Sequence, residues 1–184
     1  MSAATQPDIS GDASATSVAT LAELMTWALW LELDAAERYH DLAGAMETHN
    51  NDEAADLFRR MAAIEERHAD AILKQMHWLA PPPLPAGPPP WADQEGPESV
   101  SHDDVHYLMR PWHALALALK GEQRAARFFA TLAAQAADPA IRAAAEAMAE
   151  EEREHVALVE AWMAKVPRPD ERWQEDPDPP RYLD

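Results

Sequence analysis

The sequence predicts an all-α protein, a four-helix bundle with one long crossover between the second and third helices. Three observations carry this expectation. Apolar residues recur at helical spacing in four long stretches, no segment alternates with period two over a convincing length, and a proline-rich stretch separates the helices into two pairs. A crossover of that length inside a small domain has a purpose if it spans the bundle, so that the third helix runs parallel to the second.

The elements follow in order. Residues 1–17 are small, polar and aperiodic, offer little apolar area against the entropy of ordering, and are expected to form a disordered arm. Thr20 with Glu23 makes a capping-box signature, and Leu21, Met25, Leu29, Ala36, Tyr39, Ala43 and Met46 continue one apolar stripe to about Thr48. Asn50, Asn51 and Asp52 are N-cap types that open a second helix, whose stripe of Leu57, Phe58, Met61, Ile64, Ile72 and Met76 reaches about Trp78. Residues 79–100 hold eight of the sixteen prolines, which excludes helix and sheet interior and favours polyproline II. A third helix is expected over about 102–136, with Pro111 as either a kink or the true first turn. Asp138 and Pro139 read as N-cap and first helical residue of a fourth helix to about Lys165, which closes a bundle over 18–165. Residues 166–184 carry five further prolines and read as a disordered tail, with Trp173 and Tyr182 as the side chains able to pin it.

Composition narrows the function. The 184 residues are 47% apolar and 26% charged, enough for one domain with a sizeable core. Acidic residues outnumber basic ones 33 to 15, and a net charge of −18 repels nucleic acid and anionic membranes while attracting cations. Zero cysteines exclude disulfides, iron–sulfur clusters and Cys-bound zinc from this chain. With no basic leader region and no uninterrupted apolar run near twenty residues, a soluble cytoplasmic protein is expected.

Each helix breaks its apolar stripe once, near the middle, with a glutamate. Glu32 lies in the register of Met25, Leu29 and Tyr39, and Glu122 shares a face with Leu115, Leu119 and Phe129. Glu65 and Glu152 each have a histidine one turn on, His68 and His155, so that both members of each pair project into one patch of core. An unpaired buried carboxylate costs several kcal/mol, so four of them on buried faces demand a reason. A dinuclear metal centre in a bundle supplies one, since it takes a Glu from each of two helices and Glu-x-x-His from each of the other two. Four carboxylates neutralise two divalent cations, and an oxygen and imidazole set without thiolate suits iron or manganese. A third pair, Glu37 and His40, lies off that face and reads as solvated surface, as do Glu66, Glu150, Glu151 and Glu154. The methionines read as core filler, and His102, His106 and His113 as exposed polar residues.

The chain also repeats itself. Glu32 through Tyr39 aligns with Glu122 through Phe129, and Met61 through His68 with Met148 through His155, so each half supplies one Glu helix and one Glu-x-x-His helix. On these residues, spanning about 20–163, the sequence resembles the rubrerythrin and ferritin-like di-iron carboxylate superfamily. The resemblance implies a ferritin-like bundle with Glu32, Glu65, His68, Glu122, Glu152 and His155 as ligands of two iron ions, manganese being the alternative. It further implies Glu65 and Glu152 as the bridging pair, and Tyr39 as a residue that hydrogen-bonds a ligand carboxylate. Phe129, at the matching place in the second half, has no hydroxyl to do the same.

The departures from the family pattern shape the expected function. A full rubrerythrin carries a cysteine-rich rubredoxin module and an extra Glu where this chain has Ala125, so the ligand set resembles the symmetric six-ligand bacterioferritin pattern. A separate electron donor is therefore expected. The resemblance implies an oxidoreductase that reduces hydrogen peroxide or dioxygen. The alternatives are a ferroxidase or storage protein acting on Fe(II), which needs a cage, and a non-catalytic protein whose metals stabilise the bundle. The aromatic content leads to the expectation of a homodimer.

Overall fold

The computed structural model describes residues 18–91, 96–97, 106, 108–170 and 172–173. Four helices form the molecule: α1 (Leu21–Thr48), α2 (Asp52–Gln75), α3 (Pro111–Gln135) and α4 (Pro139–Met163). The predicted N-terminal arm lies outside the described residues. Among the described residues there is no strand, and no helix is long and apolar enough to cross a membrane.

Local chemistry sets the helix ends. Thr20 Oγ1 accepts from the Glu23 amide at 3.1 Å, which satisfies one otherwise unpaired donor of α1, while Glu23 Oε2 accepts from the Ala19 amide just before the helix at 2.9 Å. The three residues between α1 and α2 divide the labour. Asn50 takes φ +55°, and the amides of Asn50 and Asn51 return to Glu47 and Met46 carbonyls at 2.9 Å, closing a Schellman motif. Asn51 then caps α2, its Oδ1 accepting from the Ala54 amide. The far end of α2 uses the same motif with His77 at φ +55°, which ends the helix at Gln75, short of the expected Trp78. In α3, Pro111 is the first helical residue and Arg110 is extended, so Pro111 is a first turn and the helix starts later than the expected 102. A proline ring there loses no hydrogen bond, whereas inside a helix it would clash with the preceding turn. Asp138 caps α4 through its Oδ1 and the Ala140 amide at 2.7 Å, as its place before Pro139 predicts.

The helices pair as α1 with α2 and α3 with α4, and the two hairpins meet through α2 with α3 and α1 with α4. Two apolar clusters show the directions. One joins the C-terminal half of α1, the N-terminal halves of α2 and α3, and Val159 near the end of α4. The other joins the opposite halves. Hence α2 and α3 run parallel, as do α1 and α4, and the long crossover is the connection that makes this possible.

Aromatic side chains fasten that crossover to the bundle. Trp30 Nε1 donates to the Pro82 carbonyl at 3.0 Å, and Trp91 makes edge contacts with Trp27 of α1 at 5.4 Å and Phe128 of α3 at 5.6 Å between ring centres. Arg124 Nε donates to the Pro97 carbonyl at 3.0 Å. Trp91→Ala is expected to lower stability by about 2 kcal/mol, because aromatic pairs contribute beyond their buried area. Urea denaturation checks this, with metal content as the control; an unchanged midpoint would mean that the crossover is not held by this contact.

Candidate metal centre

The two apolar clusters leave a gap in every helix, and each gap holds one glutamate. Glu32 follows Leu31, Glu65 follows Ile64, Glu122 lies between Ala118 and Phe129, and Glu152 lies between Ala149 and Val159. All four are buried, at 3–4% exposure, in one polar layer across the middle of the core. The sequence expectation that each helix buries one carboxylate is met.

The histidines complete two matching sets. His68 Nδ1 lies 3.4 Å from Glu32 Oε2 and 3.2 Å from Glu65 Oε2. His155 Nδ1 lies 3.4 Å from Glu122 Oε2 and 3.3 Å from Glu152 Oε2. The two imidazoles stack face to face, with ring centres 4.3 Å apart and 4° between planes, which joins the sets into one centre related by the internal repeat. In each set the three potential ligand atoms lie within 4.8 Å of one another, close enough to share one cation. Neither Lys nor Arg pairs with Glu65, Glu122 or Glu152 among the described residues.

Electrostatics shows what the cluster does without a metal. Burial pushes the Glu122 carboxyl up to about 8, and the negative charges of Glu65 and Glu152 add to this, against the opposing effect of His155. Burial alone would lower the His155 pKa, yet its hydrogen bonds to Glu122 and Glu152 and their charges outweigh burial and raise it to about 10. The metal-free centre therefore retains protons in place of cations. The donor set, four buried carboxylates and two imidazoles, fits a pair of divalent ions.

The other sequence readings have mixed outcomes. Tyr39 is buried in the adjoining cluster and stacks on Phe58 at 6.1 Å. His40 is exposed and lies 2.9 Å from Glu66, so the third pair is surface as expected, and Glu150, Glu151 and Glu154 are exposed too. The expectation of exposed histidines before α3 is corrected for His106 and His113. Both are half-buried, because Trp173 returns to the bundle and packs on them, with ring centres 5.4 and 3.7 Å away. Burial, with the charges of Arg110 and His106, holds the His113 pKa below its usual value. His102 and Tyr182 lie outside the described residues.

A four-helix bundle with parallel α2 and α3 and a carboxylate–histidine layer in its core defines the class of ferritin-like di-metal carboxylate proteins. The rubrerythrin family model matches residues 23–83 and 113–179, and the chain belongs to the rubrerythrin family. The first matched segment holds Glu32, Glu65 and His68, and the second holds Glu122, Glu152 and His155. A crystal structure of an uncharacterized conserved protein from Magnetospirillum magnetotacticum MS-1 is similar, with a TM-score of 0.61 and 39% identity over 83% of this chain and 99% of that one. No curated protein matches the chain significantly.

Proposed function

We propose that the protein is a di-iron oxidoreductase that reduces hydrogen peroxide or dioxygen with electrons from a separate donor. The observation that supports this reading is the buried layer of four glutamates and two histidines, repeated in both halves of a rubrerythrin-family chain. In this reading Glu32, Glu65 and His68 would hold one ion and Glu122, Glu152 and His155 the other, with Glu65 and Glu152 as the residues that would serve both. The chemistry that a bound iron pair supplies is one electron per ion for the oxidant.

The chain's own residues perform the remaining tasks. Glu65 and Glu152 lie in the middle of their helices, where they would hold the ions in place, and the stacked imidazoles of His68 and His155 fix the direction of their Nδ1 atoms. The apolar clusters on either side exclude bulk water, which strengthens each carboxylate's hold on a cation. Tyr39, one helix-turn pair beyond Glu32, orients a ligand carboxylate. Reducing peroxide to water consumes two electrons and two protons, and in this reading the electrons come from a separate donor, which a chain without cysteine supports.

Stopped-flow mixing of the anaerobic diferrous protein with hydrogen peroxide and, separately, with oxygen tests the reading. Oxidation at least ~10-fold faster with peroxide, and no ferric mineral on adding excess iron, is the result expected of a peroxidase. Faster reaction with oxygen assigns the activity to dioxygen reduction. Ferric mineral accumulating in a large oligomer would replace the reading with iron storage, and inertness to both oxidants would leave a structural metal site.

A further inference from the structure

One end of the bundle carries a second site of different chemistry. The starts of α2 and α3, the end of α4 and the segment after it enclose an open cavity of about 1040 Å³. Its walls are apolar, with half-buried Leu57, Leu108, Trp162, Val166 and Trp173. Its rim is basic: Arg60, Arg110, Lys165, Arg168 and Arg172 are exposed and line it. Five of the chain's 15 basic residues thus gather at one opening of a protein whose net charge is −18.

Elsewhere on this molecule Arg38 pairs with Asp34, Arg153 with Glu150, and Arg59 with both Glu47 and Asp56, while Arg67, Arg124 and Arg142 donate to backbone carbonyls. Among the described residues, none of the five rim cations pairs with a carboxylate, and the Arg168 guanidinium lies 5.2 Å from the centre of the Trp112 ring. The lining holds three acidic residues against these five cations, which leaves it a net charge of +2. Asp56 is held by Arg59 at 2.7 Å, Asp170 accepts from the Arg172 backbone amide at 3.0 Å, and Glu53 sits in the first turn of α2. Helix dipoles are not the source of the positive potential either, because α1 and α4 end where α2 and α3 begin, and their contributions oppose.

We propose that this cavity binds a nucleotide-class ligand, a flat ring system bearing phosphates. Four of the five rim cations are guanidinium groups, whose planar fork matches phosphate oxygens in pairs. The half-buried indoles of Trp162 and Trp173 line the cavity, Trp173 with His113 packed against it, and add aromatic surface to the apolar wall. The volume lies at the upper end of small-ligand pockets, about 300–1,000 Å³, and is far more than inorganic phosphate fills. Like-charge repulsion from the rest of the surface makes a basic rim necessary for any anion to approach. The site lies at the end of the bundle, away from the glutamate layer, and does not depend on the redox reading.

Equilibrium dialysis of the full-length, metal-loaded protein with ADP tests the proposal, with adenosine and pyrophosphate as separate probes. ADP is expected to bind at least ~10-fold more tightly than either fragment, and to weaken by about 10-fold between 50 and 300 mM salt. Arg168→Glu and Arg60→Glu, one after α4 and one on the exposed face of α2, should each weaken ADP binding by about 10-fold. Glu65→Ala should leave it unchanged, which separates this site from chelation at the metal centre. Equal affinity in the charge-reversed variants, loss of binding in Glu65→Ala, or binding of an acidic peptide but not ADP would each overturn the proposal.

Discussion

Glu65→Ala or Glu152→Ala is expected to reduce metal content from two ions per chain to less than one. Each of these carboxylates, if shared, serves both ions, so its loss disables both positions together. Glu32→Ala and Glu122→Ala each touch one set, and each should cost one ion while sparing the other. Changes to groups that only support a ligand already weaken metal binding by about 10–100-fold, so losing a ligand should exceed ~100-fold. The metal-free variants should keep their helical content, because each removes a buried charge from a layer that repels itself. Elemental analysis after anaerobic iron loading, with circular dichroism alongside, reads both quantities. Equal losses from Glu65→Ala and Glu32→Ala would refute the shared role, and two ions retained in Glu65→Ala would refute the ligand set.

The buried cluster of four glutamates and two histidines was legible because a glutamate on an apolar stripe conflicts with burial, and four such conflicts fall at matching places in the two halves. Helix starts were equally legible where a side chain caps its own turn, as Thr20 and Asp138 do. The end of α2 was not, since His77 takes a left-handed conformation that glycine or asparagine would have signalled and histidine does not. Trp173 is legible as a side chain able to pin the proline-rich tail, but its partners are not, because only the fold brings His106 and His113 to where an indole can cover them. The basic cavity was hidden for the same reason: Arg60, Arg110 and Lys165 lie on different elements, far apart in the chain, and no local pattern joins them.

The metal-free protein should lose stability as pH rises from about 5 to 9, and metal loading should abolish most of that dependence. Glu122 has an ordinary value of 4.5 and is raised to about 8 in the fold, chiefly by burial and then by Glu65 and Glu152. Between those values the folded chain binds a proton that the unfolded chain does not, so stability present below pH 4.5 is lost as pH rises through about 8. His155 acts in the same direction, its pKa raised from 6.5 to about 10, and its contribution is present below 6.5 and lost as pH rises through about 10. A shift of one pKa unit corresponds to about 1.4 kcal/mol, so the Glu122 effect alone has an upper bound on the order of 5 kcal/mol. Cations must displace these protons, so loading at neutral pH should release protons and metal affinity should rise with pH. Urea unfolding at pH 5, 7 and 9, with and without metal, measures the first effect, and a pH-stat during loading measures the second. Glu122→Gln keeps the shape but cannot ionise, and should flatten the metal-free profile over the lower part of the range. A metal-free protein that gains stability between pH 5 and 9, or loading without proton release, would show that the buried layer is neutralised by something other than its own protons.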